Sequence, residues 1–441
     1  MRLDVYVCDT LVGQLSSVSD GGFAFTYRPD TDPNRFISLT MPVRDESYIW
    51  KRGLPPIFLM NLPEGYQKDQ LREHLAGKTE VTDENLLAIT GYRTIGRVRV
   101  VPSGLALTEA ADPLNLAELL ASPNSRTQLL NSIATQTAVG VSGVMPKRLL
   151  DTPEPTQKVT TFSEHYLLKT GPDYLPGLAI NEWLCLEVAR ATNLLVVPET
   201  RLSDDGEVLA IRRFDRTEDG AFIGVEDCCS LKGLDPASKY SGSLEDLAKY
   251  LKYYLPVEER QAESRKLMTL IYLNYALGNA DAHLKNFSFT YTRWDTVRVA
   301  PAYDIVTVCA YPKYADNLPS LTLQGKKVWF AGKHLVLFGT SRLSLSPKVL
   351  ADIREAVSLA VKKLAPSVAE YADKYPAFRE TGKRMLTLWD AGLANIDPTA
   401  NPKHAFATSL REHSKLSEDQ PQPKETNPYV DPAGAFGHKA R

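Results

Sequence analysis

Apolar and polar residues alternate along MRLDVYVCDTLVGQL, and residues 2–43 favour short strands. RLDVYVCD reads as a strand, and GGFAFTYRP as another after the turn signal Asp20-Gly21-Gly22. FLMNLPEGYQKDQLREHLAGK then takes helical spacing, with Leu62-Pro63 before the helix and Gly77 near its end. GRVRVVPSG is a strand closing in a turn. Residues 108–135 mix linker and helix, the helix falling on DPLNLAELLAS. VGVSGVMPKRLL is a glycine-containing loop leading into a strand, and the polar break DTPEPTQKVTT separates it from the strand HYLLKT. LAINEWLCLEVARAT is a helix and EVLAIRRFDR a strand. From about residue 244 the period changes, and SLEDLAKYLKYYL, PVEERQAESRKLMTLIYLNYALGN, SPKVLADIREAVSLAVKKL and RETGKRMLTLWDAGLANI are helices. In the third, Ser346 is the N-cap and Pro347 the first helical residue. Ile353, Val357, Ala360, Val361 and Leu364 line one of its faces. A strand-rich half thus precedes a helix-rich half. The Pro-rich, polar and aperiodic stretch after about residue 411 reads as a disordered tail.

Composition narrows the class. The 441 residues are 43% hydrophobic and 24% charged, which is globular and long enough for two or three domains or lobes. A net charge of −2 gives no bulk attraction for a polyanion or a membrane, so any basic patch is local. The N-terminus lacks the apolar core of a signal peptide, and no later run is long enough to span a bilayer. Five cysteines (Cys8, Cys185, Cys228, Cys229, Cys309) show no CxxC spacing, which points to reduced thiols in a cytoplasmic protein. The Cys228-Cys229 pair reads as packing. Seven scattered histidines form no HxxxH or HExxH pair, which argues against a dedicated zinc site.

The chemistry concentrates where the most apolar helix ends. LMTLIYLNYAL runs into GNADAHLKNFSF, which places Asn279, Asp281, His283, Lys285 and Asn286 in a loop at the edge of a core. An ionised carboxylate there requires water, a cation or a basic neighbour, and Lys285 is the nearest such neighbour in sequence. Asp281 and Asn286 have the D-x-x-x-x-N spacing of a kinase catalytic loop, in which the Asp takes a hydroxyl proton and the Asn ligates Mg²⁺. Downstream, Asp304 in VRVAPAYDIVTV follows an apolar run and is the expected second Mg²⁺ ligand, its plain alternative being a turn residue. Upstream, Lys169 ends the strand HYLLKT, as a phosphate-binding lysine or an edge-strand gatekeeper, and Glu182 in the next helix is its candidate partner. Gly140 and Gly143 flank Val141 and Ser142, so backbone amides of Val141, Ser142 and Gly143 can approach phosphates, although an ordinary hairpin has the same composition. LAIRRFDR is either the strand at a hinge, where adenine would be met, or a half-buried strand with an Asp215-Arg216 contact. The order of these pieces is that of a kinase, although GxGxxG, HRD, DFG and APE are missing.

GNADAHLKNFSF, PAYDIV, RRFDR, INEW and VSGVMPK resemble the HipA family of serine/threonine kinase toxins from bacterial HipA–HipB toxin–antitoxin modules. The similarity extends from the N-terminal strands to about residue 390, and FLMNLPEG and TIGRVRVVPSG match the family's amino-terminal subdomain. The resemblance implies an α+β, two-lobed, protein-kinase-like fold. A HipA-like N-terminal subdomain is expected over 1–110, the rest of a strand-rich N-lobe over 111–243, a mainly helical C-lobe over 244–411 and a tail over 412–441. It implies ATP and Mg²⁺ as cofactors, Asp281 as the base, Asn286 and Asp304 on the metal, and Lys169 on the phosphates. His283 and Lys285 would lie by the transferring phosphate, and Arg212 to Phe214 would form the hinge. Ser142 is the autophosphorylation candidate, because Gly140 replaces the other serine common in the family loop. The hinge reads Arg212-Arg213-Phe214-Asp215 where the family commonly has Glu first. The implied partners are a small helix-turn-helix antitoxin of HipB type, DNA only through that antitoxin, and a protein substrate such as an aminoacyl-tRNA synthetase. Growth arrest or persistence would follow. Two alternatives share these features: a small-molecule phosphotransferase, and a non-catalytic corepressor that partners a DNA-binding protein.

Overall fold

The computed structural model describes residues 1–75, 80–107, 114–140, 158–163 and 165–399. Gly77, Val141, Ser142, Gly143 and the expected tail lie outside the described residues. Period-two alternation in the first strands puts Leu3, Val5, Val7, Val12, Leu15, Phe23 and Phe25 into one core face. The result is a five-stranded antiparallel sheet, in the order Tyr48–Trp50, Phe23–Tyr27, Thr10–Ser17, Arg2–Val7, Val98–Pro102. The helix expected after Leu62-Pro63 runs from Gly65 to Leu75. Proline disfavours helical backbone at the residue before it, so the short helix Pro56–Leu59 ends ahead of this point and Glu64 falls in the gap.

A second, four-stranded antiparallel sheet has the order Val159–Phe162, Tyr166–Thr170, Leu209–Arg212, Thr200–Leu202. Leu168 and Ala210 on it, with Val208 just before its strand Leu209–Arg212, pack against Leu119, Leu129, Leu130 and Ile133 of the helices Leu116–Leu120 and Ser125–Gly140. The helix Leu178–Ala191 connects this sheet to the larger, helical part of the molecule. That part contains the helices Leu244–Tyr254, Arg260–Ala276, Gly332–Leu343, Pro347–Lys374 and Arg379–Ile396. Ser346 caps the fourth of these by accepting the Val349 N–H, with Pro347 in the first turn. In Arg260–Ala276 every residue from Leu267 to Ala276 is buried, which accounts for a sequence that is apolar but for Thr269 and Asn274. Gly392 lets a neighbouring helix approach it, since a Cβ there would lie 2.1 Å from the Ala276 carbonyl oxygen.

The expected lobe boundary at 243/244 coincides with the start of helix Leu244–Tyr254, and packing contacts cross it. Strand Gly224–Asp227 pairs with Ser288–Tyr291, and Cys228, Cys229 and Leu231 join the core of the C-terminal helices. Helix Leu178–Ala191 does the same, because ten of its residues are buried and one sheet face cannot cover them all. Cys185, Cys228, Cys229 and Cys309 are buried free thiols, as packing requires.

Candidate active site

The central helix stops at Ala276, and Gly278 takes φ +66°, the left-handed conformation suited to a helix C-terminus. Asn279 then ties the loop back to the helix. Its amide donates to Asn274 Oδ1 at 2.8 Å, and its oxygen accepts the Asp281 N–H at 3.2 Å. The Ser320 hydroxyl donates to the Ala280 carbonyl at 2.7 Å. The other side of the loop is held by Leu284, whose N–H donates to the Lys239 carbonyl at 3.1 Å. Gly242 lies so close that a Cβ there would fall 2.5 Å from a Leu284 methyl.

Within this frame, Asp281 accepts the Tyr240 hydroxyl at 3.1 Å. Burial pushes Asp281 up to about 7, helped by the charge of Asp304 and opposed by Lys239, Lys158 and the Tyr240 hydroxyl. Asn286 accepts the His283 N–H at 3.1 Å and donates its amide to Asp304 Oδ2. Asp304 has φ +56°, a conformation that costs most L-residues about 1 kcal/mol but that Asp tolerates better than most. The Lys169 ammonium lies 2.7 Å from Asp304 Oδ1 and also contacts Glu182 Oε1. Lys158 reaches the same Asp304 oxygen and lies 3.3 Å from Glu182 Oε2. Burial alone would raise Asp304, but Lys158 and Lys169 outweigh it and hold the carboxyl well below its usual range. Glu182 is fixed through its neighbour Asn181. That buried side chain accepts the Thr307 N–H at 2.9 Å and donates to the Thr307 carbonyl at 3.2 Å and to Tyr311 Oη at 3.3 Å. Trp389 donates to Thr307 Oγ1 at 2.8 Å.

The residues read from the sequence are thus distributed as follows. Lys169, Glu182, Asn286 and Asp304 form one connected cluster, and Asp281 stands beside it. Lys285 does not neutralise Asp281: its ammonium pairs with Glu64 of the N-terminal module and lies 3.4 Å from the Met60 carbonyl. His283 is buried edge-on against Tyr240, with ring centroids 5.2 Å apart. Burial, with Lys239 and Lys285 close by, depresses its pKa far enough to keep it neutral, and its Nδ1 has no hydrogen-bond partner among the described residues. Arg212 ends its strand half-exposed, and Phe214 packs 5.6 Å from Tyr303, the residue before Asp304. Arg213 and Asp215 are drawn elsewhere. Asp215 takes two bonds from Arg213, one from Arg216 and one from the Gly96 N–H, which locks the segment to the N-terminal module.

Sequence reading missed Lys158, Tyr240, Lys239 and Glu64. Lys158 sits at the end of a polar break, one residue before Val159 begins the sheet pairing, and only that position beside a strand end marks it. Tyr240 and Glu64 carry no local signal.

Among the described residues no three His, Cys, Asp or Glu side chains converge on one point. Asn286 and Asp304 nevertheless suit Mg²⁺, which takes one or two carboxylates and completes its shell with water and phosphate oxygens. Among the described residues no helix is long and apolar enough to cross a membrane.

Residues 3–101 match the HipA N-terminal domain, and residues 139–365 match the HipA-like C-terminal domain. The chain is 28% identical over 354 residues to Y4mE of Sinorhizobium fredii, covering 75% of this chain and 82% of that one. It is 26% identical over 344 residues to the serine/threonine-protein kinase toxin HipA of Shewanella oneidensis, covering 72% of this chain and 78% of that one. A solved complex of Shewanella oneidensis HipA, HipB and operator DNA aligns with a TM-score of 0.61 at 18% identity, over 94% of this chain and 99% of that chain. The two-lobed α+β fold expected from the sequence is therefore the fold observed.

Proposed function

The chain belongs to the HipA family, and on that footing we propose that it is an ATP- and Mg²⁺-dependent serine/threonine protein kinase, the toxin of a toxin–antitoxin pair. The observation that carries the reading is the convergence of residues from four separate segments of the chain. Lys169, Glu182, Asn286 and Asp304 are joined by direct contacts, with Asp281 on the loop that carries Asn286. Asn286 and Asp304 would hold the metal, which when bound neutralises phosphate charge. Lys169, steadied by Glu182, would meet phosphate oxygens. Asp281, whose Oδ1 accepts the Tyr240 hydroxyl, would orient and deprotonate an acceptor hydroxyl. Phe214, against Tyr303, marks the side where adenine would lie.

The Lys285–Glu64 pair favours a protein acceptor over a small molecule, because it joins the catalytic loop to a module that a minimal phosphotransferase does not need. The partner we propose is a HipB-like helix-turn-helix antitoxin. The substrate we propose is a translation component such as an aminoacyl-tRNA synthetase, with growth arrest as the consequence and Ser142 as the site of self-phosphorylation. Radiolabelled ATP tests the core of this reading. Asp281→Asn keeps an oxygen for Tyr240, so it should melt like the wild type yet transfer phosphate at least about 100-fold more slowly. Transfer at the wild-type rate would remove Asp281 from the mechanism.

A further inference from the structure

Asp304 presents two oxygens, and both are taken by protein groups. Asn286 donates to Oδ2, while Lys158 and Lys169 both place ammonium groups on Oδ1. The two lysines differ in their freedom to leave. Lys169 lies within the strand Tyr166–Thr170, which is paired on both sides, and its ammonium is held by Glu182 Oε1. Lys158 precedes the first paired residue of its strand, and its second anion, Glu182 Oε2, lies 3.3 Å away. Two lysines, a glutamate and an aspartate are formally neutral together. A divalent cation arriving alone at Asp304 would face both ammonium groups across one oxygen. A cation arriving with a nucleotide would bring phosphate oxygens on which those ammonium groups can settle.

We propose that Lys158 and a divalent cation compete for Asp304, and that the phosphates of a nucleotide decide between them by drawing Lys158 off the carboxylate and onto themselves. Lys158 is then a further nucleotide-binding residue, and it makes metal and nucleotide bind as a pair rather than separately. This inference rests on the kinase reading of the site. Calorimetry with Mn²⁺ alone, ADP alone and both together, on the full chain, tests it. In the wild type, Mn²⁺ alone should bind at least tenfold more weakly than it does with ADP present. Lys158→Met should bind Mn²⁺ alone at least tenfold more tightly than the wild type and bind Mn²⁺–ADP several-fold more weakly. Lys158→Arg, which keeps the charge, should retain most of the coupling. Unchanged Mn²⁺ affinity in Lys158→Met, or tight binding of Mn²⁺ alone to the wild type, overturns the inference. The wild-type measurement stands even if the Met variant misfolds. A wild type that binds no Mn²⁺–ADP overturns the kinase reading and this inference with it. Binding that Lys158→Met leaves untouched overturns the inference alone.

Discussion

Replacing Glu226 by Gln alters one carboxyl at the seam between the N-terminal sheet and the helical core. Glu226 is fully buried and accepts four hydrogen bonds: from Ser38 Oγ at 2.7 Å, the Leu39 N–H at 2.8 Å, Ser230 Oγ at 3.1 Å and Tyr291 Oη at 3.4 Å. Burial raises its pKa from 4.5 to about 7; those bonds oppose the rise and Asp227 adds to it. The folded value lies above the unfolded one, so between pH 4.5 and 7 the folded protein keeps a proton that the unfolded chain has lost. Stability from this group is present below the lower value, declines as pH rises between the two, and stays reduced above the upper. The gap corresponds to about 3 kcal/mol. Gln cannot ionise, its oxygen still serves Leu39 and Tyr291, and both serine hydroxyls can turn to accept from its amide. Glu226→Gln should therefore match the wild type near pH 4.5 and exceed it at pH 8 by about 1–3 kcal/mol. Urea denaturation of both proteins at pH 5 and pH 8, at constant ionic strength, measures this. An equal difference at both pH values, or a Gln variant weaker at pH 8, would refute the reasoning.

Other outcomes follow from the same structure. Burial raises Asp281 to about 7, and the base proposed for it acts only when ionised, so kcat/KM should rise with pH and at pH 6 reach about a tenth of its plateau; a profile flat from pH 5.5 to 9 contradicts this. Glu64→Ala frees Lys285, and because the Glu64 side chain is 47% exposed, urea melts should shift by under about 1 kcal/mol while phosphate transfer falls about tenfold. Loss of stability without loss of rate would make Glu64 merely structural. Asp215→Ala leaves Arg213, whose side chain is 3% exposed, without its carboxylate, and should cost about 3–5 kcal/mol in the same melts. A cost below about 1 kcal/mol would show that the Ser163 and Thr94 carbonyls suffice for that guanidinium.

Local rules made much of this fold readable. Alternation located Leu3, Val5 and Val7 on one face, and Ser346-Pro347 marked a helix start to the residue. Two helices were harder to see. Ser125–Gly140 is rich in Ser, Thr and Asn, and Gly332–Leu343 contains two glycines beside Thr340 and Ser341, so tertiary burial of Leu129, Leu130, Leu335 and Phe338 compensates for weak propensity. In the site, Asp281, Asn286, Lys169, Glu182 and Asp304 were legible because spacing and order along the chain carry them. Lys158, Tyr240 and Glu64 were not, because each acts through a neighbour that only folding supplies, across 146, 41 and 221 positions of sequence. Lys285 shows the same limit in reverse: proximity in sequence pointed to Asp281, and the fold turned it toward Glu64.

The grip of Asn181 on Thr307 bears on control and on drug design. Many kinases are silenced by swinging the helix that bears the lysine's glutamate partner out of place. In the kinase proposed here that swing would break the Asn181 bonds to Thr307 and Tyr311, all three residues being buried, at roughly 1–3 kcal/mol for each group stranded. An inhibitor that wedges behind that helix would have to break those same bonds, so the side facing Lys158, which precedes the first paired residue of its strand, is the less costly one to approach.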